Sequence, residues 1–260
     1  MNRKTQIVLL LTLCMALLLA WGGLGTVSAQ IGVSFNNGDG SLTADMAAGL
    51  FPYANWNLTT DPSNTATGLV DSSGAATAAS VTWDSSGLYG TNAGTATPDR
   101  RMFQGQIWSS GSPATHAVSF TGIPYGSYAA LIYVVNDNNG HFPYKWDVNG
   151  NLATEVYALH LGGGELQNGV WLRAMGTSLA TANIANYVYF PNLSGADVTF
   201  NYTNLRGDNN AMICGIQIIP TSLVLVDPLT DDLPLISPAA AQPGVTPEAV
   251  QLVWHYRKVL

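Results

Sequence analysis

The chain predicts an all-β fold, an antiparallel β-sandwich of the jelly-roll kind, and three observations predict it. Short apolar and β-branched runs recur from Ile31 to Pro220, Gly/Asn/Ser turn signals separate them, and no long helix-period segment lies between them. Regular short strands joined by such turns argue for a sandwich or jelly roll and against parallel βαβ units.

The runs are Ile31 to Phe35, Ala79 to Trp83, Arg101 to Trp108, Thr115 to Thr121, Ser127 to Asn136 and Pro143 to Val148. Gly169 to Ala174, Asn186 to Phe190 and Asp197 to Tyr202 follow. Val118 and Phe120 alternate with Ala117, Ser119 and Thr121, the pattern of a half-buried antiparallel strand. Asp147-Val-Asn-Gly150 reads as a hairpin turn after Tyr144-Lys-Trp146. Ala211 to Pro220 is apolar on both faces and reads as one buried strand that closes a sheet and stops at a proline. Thr43 to Leu50 is the one short helix expected inside the domain, with Thr43 as cap and Asp45 in its first turn.

Three segments divide the chain. Residues 1–29 read as a signal peptide: Arg3 and Lys4 precede an apolar core from Ile7 to Leu19, and Val27-Ser28-Ala29 supplies small residues for cleavage after Ala29. Residues 30–220 form the sandwich domain, with no membrane span expected once the signal is removed. Residues 221–260 read as a Pro-rich tail, in which Thr246-Pro247-Glu248 can start a terminal helix. That tail either docks on the sandwich or engages another chain, and Leu223-Val-Leu-Val226 could add as a strand to a neighbour's sheet edge. The protein is therefore expected outside the cell or on its surface.

Removing Arg3 and Lys4 leaves seven basic residues against sixteen acidic ones. That balance disfavours nucleic acid and anionic membranes and favours a glycan or extracellular polymer as partner. Cys214 is the single cysteine of the mature chain and reads as a small apolar residue in a strand, with a reactive thiol as the sharper alternative.

Enzymatic chemistry finds little to work with. The mature chain has three glutamates, Glu155, Glu165 and Glu248, and a glycosidase needs two carboxyl groups flanking the scissile bond, one held protonated. His116, His141, His160 and His255 lack metal-ligand spacing and read as surface or strand-end residues. No enzyme and no obligatory cofactor are expected.

Sugar binding needs rings beside amide and carboxylate hydrogen-bonders. The best cluster is Asn136, Asp137, Asn138 and Asn139 with Tyr144 and Trp146, while Trp83 and Trp108 lie in strand patterns and read as core. Clustered hard oxygens at Asn36, Asp39 and Asp137 suggest calcium, although Asx-rich turns without metal are the commoner explanation. Arg206-Gly-Asp208 matches an integrin-recognition tripeptide that turns use freely, and Asn57, Asn192 and Asn201 head glycosylation sequons.

Several pieces taken together resemble a family of secreted bacterial galactose-binding-like β-sandwich domains. They are Ile31-Gly-Val-Ser-Phe35, Asn55-Trp-Asn57, Leu69 to Thr77 leading to Val81-Thr-Trp83, and Val118 to Pro124. Tyr128 to Val135, Asn186 to Phe190 with Leu193-Ser-Gly195, and Gly215 to Ile218 complete the series. The resemblance implies a galactose-binding-like jelly roll with a non-catalytic, carbohydrate-binding role. Relatives commonly end in a proline-glutamate motif, a membrane helix and an arginine cluster. Here Pro247-Glu248 is followed by a run far too short to span, so release outside the cell is expected. A structural subunit of an extracellular assembly, a homo-oligomer built through the tail, is the alternative.

Overall fold

The computed structural model describes residues 29–38, 40–109, 115–137, 140–205 and 211–223. The signal segment, the tail beyond Leu223, Asp39, Asn138, Asn139 and the Arg206-Gly-Asp208 tripeptide lie outside them.

The described strands are β1 (Ile31–Phe35), β2 (Asn57–Thr59), β3 (Asn64–Thr67), β4 (Ser80–Trp83) and β5 (Gly87–Gly90). Helix α1 (Pro98–Gln104) leads into β6 (Gly105–Ser109), β7 (Thr115–Thr121), β8 (Ser127–Tyr133), β9 (Pro143–Val148) and β10 (Asn151–His160). β11 (Asn183–Ala185), β12 (Tyr187–Ser194), β13 (Val198–Asn204), β14 (Ala211–Ile213) and β15 (Gly215–Pro220) follow. They form a five-stranded sheet β12-β8-β15-β1-β2, a seven-stranded sheet β11-β10-β9-β13-β7-β4-β3 and a small sheet β14-β6-β5. The fold is a β-sandwich, antiparallel except where β2 joins β1 and β11 joins β10 in parallel.

Alternation builds the core. On β8, Tyr128, Ala130 and Ile132 meet Val118 and Phe120 of β7 and Trp146 of β9, between the two large sheets. Ala129, Leu131 and Tyr133 point the other way, into a second layer with Phe51, Trp56 and the α1 residues Met102 and Phe103. The five-stranded sheet is thus buried on both faces, which is why its strands read as near-continuous apolar runs. On β1, Gly32 lies under that second layer: a Cβ there would meet the Tyr53 hydroxyl at 1.6 Å and the Trp56 ring at 2.8 Å. Tyr53 and Trp56 stack on each other at 4.9 Å and cannot easily swing away. Gly32→Ala is expected to lower stability by about 1–3 kcal/mol through overpacking, read as a drop in the urea midpoint at unchanged slope.

Four local expectations are corrected. Thr43 to Leu50 is not helical: Ala48 bridges to Tyr53, and Gly49 has φ 97, outside the right-handed helix region. Arg101 to Gln104 is not strand but the end of α1, whose cap Thr97 accepts a hydrogen bond from the Arg100 amide, with proline in the first turn and Asp99 beside it. Gly169 to Ala174 is loop, held by the buried Asn186, which accepts from the Leu172 amide at 2.9 Å and donates to the Val170 carbonyl at 3.0 Å. The run Ala211 to Pro220 is two strands in two sheets: β14 pairs with β6, while β15 sits between β8 and β1 in the middle of its sheet. Ile213 and Ile216 face the main core and Cys214 the second layer, so the chain shifts face at the Cys214–Gly215 junction.

Asn149 (φ 55) and Gly150 (φ 71) form the left-handed turn that joins β9 to β10, as the Asn-Gly pair dictates. At the other end of the domain Leu223 packs against the second layer, and its amide donates to the Pro220 carbonyl at 2.9 Å. Among the described residues no helix is long and apolar enough to cross a membrane.

Candidate functional site

The rings expected to contact ligand lie in the core. β9 runs between β10 and β13, and alternation directs Tyr144, Trp146 and Val148 inward. Tyr144 and Trp146 are both 0% exposed. Tyr144 stacks on His160 at 4.2 Å and on Tyr202 at 5.7 Å, and Trp146 meets Tyr202 edge-on at 4.9 Å. Neither ring can reach a sugar. Asn136 is also buried: its amide group donates to the Gly140 carbonyl, and its backbone pairs with Leu161 and Gly163 at 3.0 and 2.8 Å. Its work is to hold the loop rather than to contact ligand. Asp137 is half-buried, and its carbonyl accepts from Asn92 at 3.0 Å.

His160 is a core residue as well. The Tyr202 hydroxyl lies 3.1 Å from its Nε2, and burial pushes its pKa down from 6.5 to about 3, so the ring is neutral. The Tyr144 hydroxyl, Trp146 Nε1 and His160 Nδ1 have no partner among the described residues, so three polar atoms gather inside one aromatic nest. Cys214 is buried and its thiol pushed up to about 12 by burial, an inert thiol in the packed interior.

Calcium finds no support at Asn36. That side chain is buried, accepts from Ser34 at 3.0 Å and donates to the Leu42 carbonyl at 2.8 Å, which makes it a stitch for its own turn. Among the described residues no group of three or more His, Cys, Asp or Glu could hold a metal ion. The sequon residue Asn57 is similarly spent, donating to the Gly32 and Val70 carbonyls and accepting from the Val70 amide.

The two glutamates of the domain each have local partners. Glu155 accepts from Lys145 and from the Tyr157 hydroxyl, and these bonds hold its carboxyl below the usual range, Lys145 foremost. Glu165 accepts from the Gly162 amide at 2.9 Å and from His141 at 3.0 Å, and it too is lowered, chiefly by the amide.

The open ring is elsewhere, on the small sheet. Cross-strand partners share a face. Leu88, Ile107 and Ile213 lie in register and point into the main core. Their neighbours Gly87, Tyr89, Gln106 and Trp108 therefore point the other way. Tyr89 is 50% exposed and Trp108 partly so. The indole of Trp108 lies across Gly87, where a Cβ would come within 2.6 Å of its Nε1, so glycine is what lets the ring lie over β5. Gln106, opposite Tyr89, is buried with both amide atoms unpartnered among the described residues. Sequence reading placed Trp108 in the core; the register shows it on the opposite face from Ile107.

No family model and no curated protein matches the sequence. Among solved structures, an exo-β-1,3-galactanase from Phanerochaete chrysosporium with galactose aligns at a TM-score of 0.32 and 11% identity, over 62% of this chain and 30% of that one. A family 35 carbohydrate-binding module from Clostridium thermocellum aligns at 0.26 and 15%, over 42% of this chain and 73% of that one. A ruminal GH26 endo-β-1,4-mannanase aligns at 0.26 and 14%, over 56% and 24%. The chain thus spans less than a third of the galactanase. Likeness at these scores carries no weight for function. What defines the molecule is its own strand pairing, a β-sandwich with an aromatic face on a small third sheet.

Proposed function

We propose that this is a secreted, non-enzymatic β-sandwich protein that binds a glycan or another uncharged extracellular polymer through the Tyr89–Trp108 face of the small sheet. The observation that carries the reading is a half-exposed Tyr89 and a partly exposed Trp108 on one face of adjacent strands, with Gly87 opposite Trp108. Sugar CH groups stack on such rings, and a sheet face presents two rings without the cost of ordering a loop. The acidic, sparsely charged surface suits a neutral polymer better than a polyanion. A non-catalytic role is favoured because the two glutamates of the domain are each engaged by local partners, Glu155 by Lys145 and the Tyr157 hydroxyl and Glu165 by the Gly162 amide and His141.

Retention on a panel of immobilised polysaccharides tests the reading. With a polysaccharide that holds the wild type, Tyr89→Ala is expected to weaken binding about tenfold, the equivalent of one stacked ring, with an unchanged melting temperature. A wild type that no polysaccharide retains, or a Tyr89→Ala protein that binds as tightly as the wild type, would sink it.

A further inference from the structure

We infer that the processed protein begins with a pyroglutamyl residue, formed by cyclisation of Gln30 after cleavage behind Ala29. The inference rests on the secretion half of the reading above. The Val27-Ser28-Ala29 triplet directs cleavage to that bond and leaves Gln30 as the new amino terminus.

The polar groups that Gln30 uses are those a lactam retains. Its main-chain N–H donates to Ser72 Oγ at 3.2 Å, and its carbonyl accepts from the Ser72 amide at 2.8 Å. Its side-chain Oε1 accepts from Nε2 of Gln217 at 2.5 Å. Gln217 is fully buried on β15. Its Nε2 also donates to the Phe51 carbonyl at 2.7 Å, and its Oε1 accepts from the Tyr133 hydroxyl at 2.5 Å. Gln30 Oε1 is therefore the acceptor that completes a buried amide, and a buried donor left without one is costly.

Cyclisation is self-contained. The α-amine attacks Cδ of its own side chain, the N–Cδ bond forms and the Cδ–Nε2 bond breaks. Nε2 leaves as ammonia, taking a proton from the attacking nitrogen. The lactam keeps one N–H, for Ser72, and the carbonyl oxygen, for Gln217. The one polar atom lost, Nε2 of Gln30, makes no hydrogen bond to a described residue. An uncyclised terminus would instead place an ammonium at a half-buried position, where Ser72 Oγ and not a carboxylate is the acceptor. Processing removes one contact, the bond from the Tyr125 hydroxyl to the Ala29 carbonyl.

The test is the mass and sequence of the amino-terminal peptide of the full precursor's secreted product. The expected amino-terminal peptide begins at residue 30 and is lighter by one ammonia than its sequence, and it resists stepwise degradation until a pyroglutamyl aminopeptidase opens it. A free Gln30 amine, or a first residue other than Gln30, overturns the inference. Gln30→Ala supplies an independent arm: with the Gln217 acceptor gone, the melting temperature is expected to fall by about 2–6 °C, and an unchanged value would contradict the seat described. Polysaccharide retention separates the two readings, because a lactam-blocked protein that binds no glycan sinks the Tyr89 face and leaves this inference standing.

Discussion

Trp146→Ala is expected to cost about 3–5 kcal/mol of stability and to abolish any function by unfolding the domain rather than by removing a ligand contact. The indole is fully enclosed between the sheets, edge-on to Tyr202 and beside the Tyr144–His160 stack. Truncation leaves a cavity that β9, paired on both sides, cannot close by moving. Against a total stability of about 5–15 kcal/mol, a loss of that size decides whether the chain folds. Trp146→Phe should cost much less, because it refills most of the space and discards an indole N–H that has no partner among the described residues. Urea unfolding followed by circular dichroism separates the outcomes. A Trp146→Ala protein with wild-type stability and lost glycan binding would contradict the core placement.

The second large effect is acid loss of stability through His160. Its pKa is about 6.5 in the unfolded chain and about 3 in the folded one. Above pH 6.5 the ring is neutral in both states and contributes no penalty. As pH falls below 6.5 the unfolded chain takes up a proton that the folded chain refuses, so stability declines steadily until about pH 3. The full loss is roughly 4–5 kcal/mol if the ring stays buried throughout. The rings that touch it among the described residues, Tyr144 and Tyr202, are uncharged, and burial alone sets the direction of the shift. His116, also lowered by burial, acts in the same direction. Denaturant melts at pH 7, 5 and 4 should show the decline, and His160→Gln, which keeps a polar partner for Tyr202 but does not titrate, should flatten most of it. A His160→Gln protein with the wild-type slope would assign the acid sensitivity elsewhere.

Much of the sandwich is legible in the residues themselves. Thr115–Thr121 and Pro143–Val148 are strands with the bounds that alternation and flanking turns set, and the Asn149-Gly150 hairpin follows from its dipeptide. Helix α1 was equally legible: Thr97-Pro98-Asp99 is the cap-proline-acid signature that Thr246-Pro247-Glu248 also carries. The apolar Met102-Phe103 step and the strand that follows masked it. The same period of two that defines β9 also condemns Tyr144 and Trp146 as contacts, since Val148 shares their face and pins it to the core. Polar neighbours in a loop made the segment look open. The face that is open could not be read locally. Gly87-Leu-Tyr-Gly90 is four residues with glycine at both ends, and only its pairing with β6, a helix away in sequence, shows that Tyr89 and Trp108 look the same way.

A crystal structure of the processed protein with an oligosaccharide from a retained polysaccharide tests the glycan-binding face most directly. A sugar ring lying against Tyr89 and Trp108, with Tyr144 and Trp146 still enclosed between the sheets, is the predicted result. A sugar seated in the Asp137–His141 loop, with the β5–β6 face bare, would contradict it.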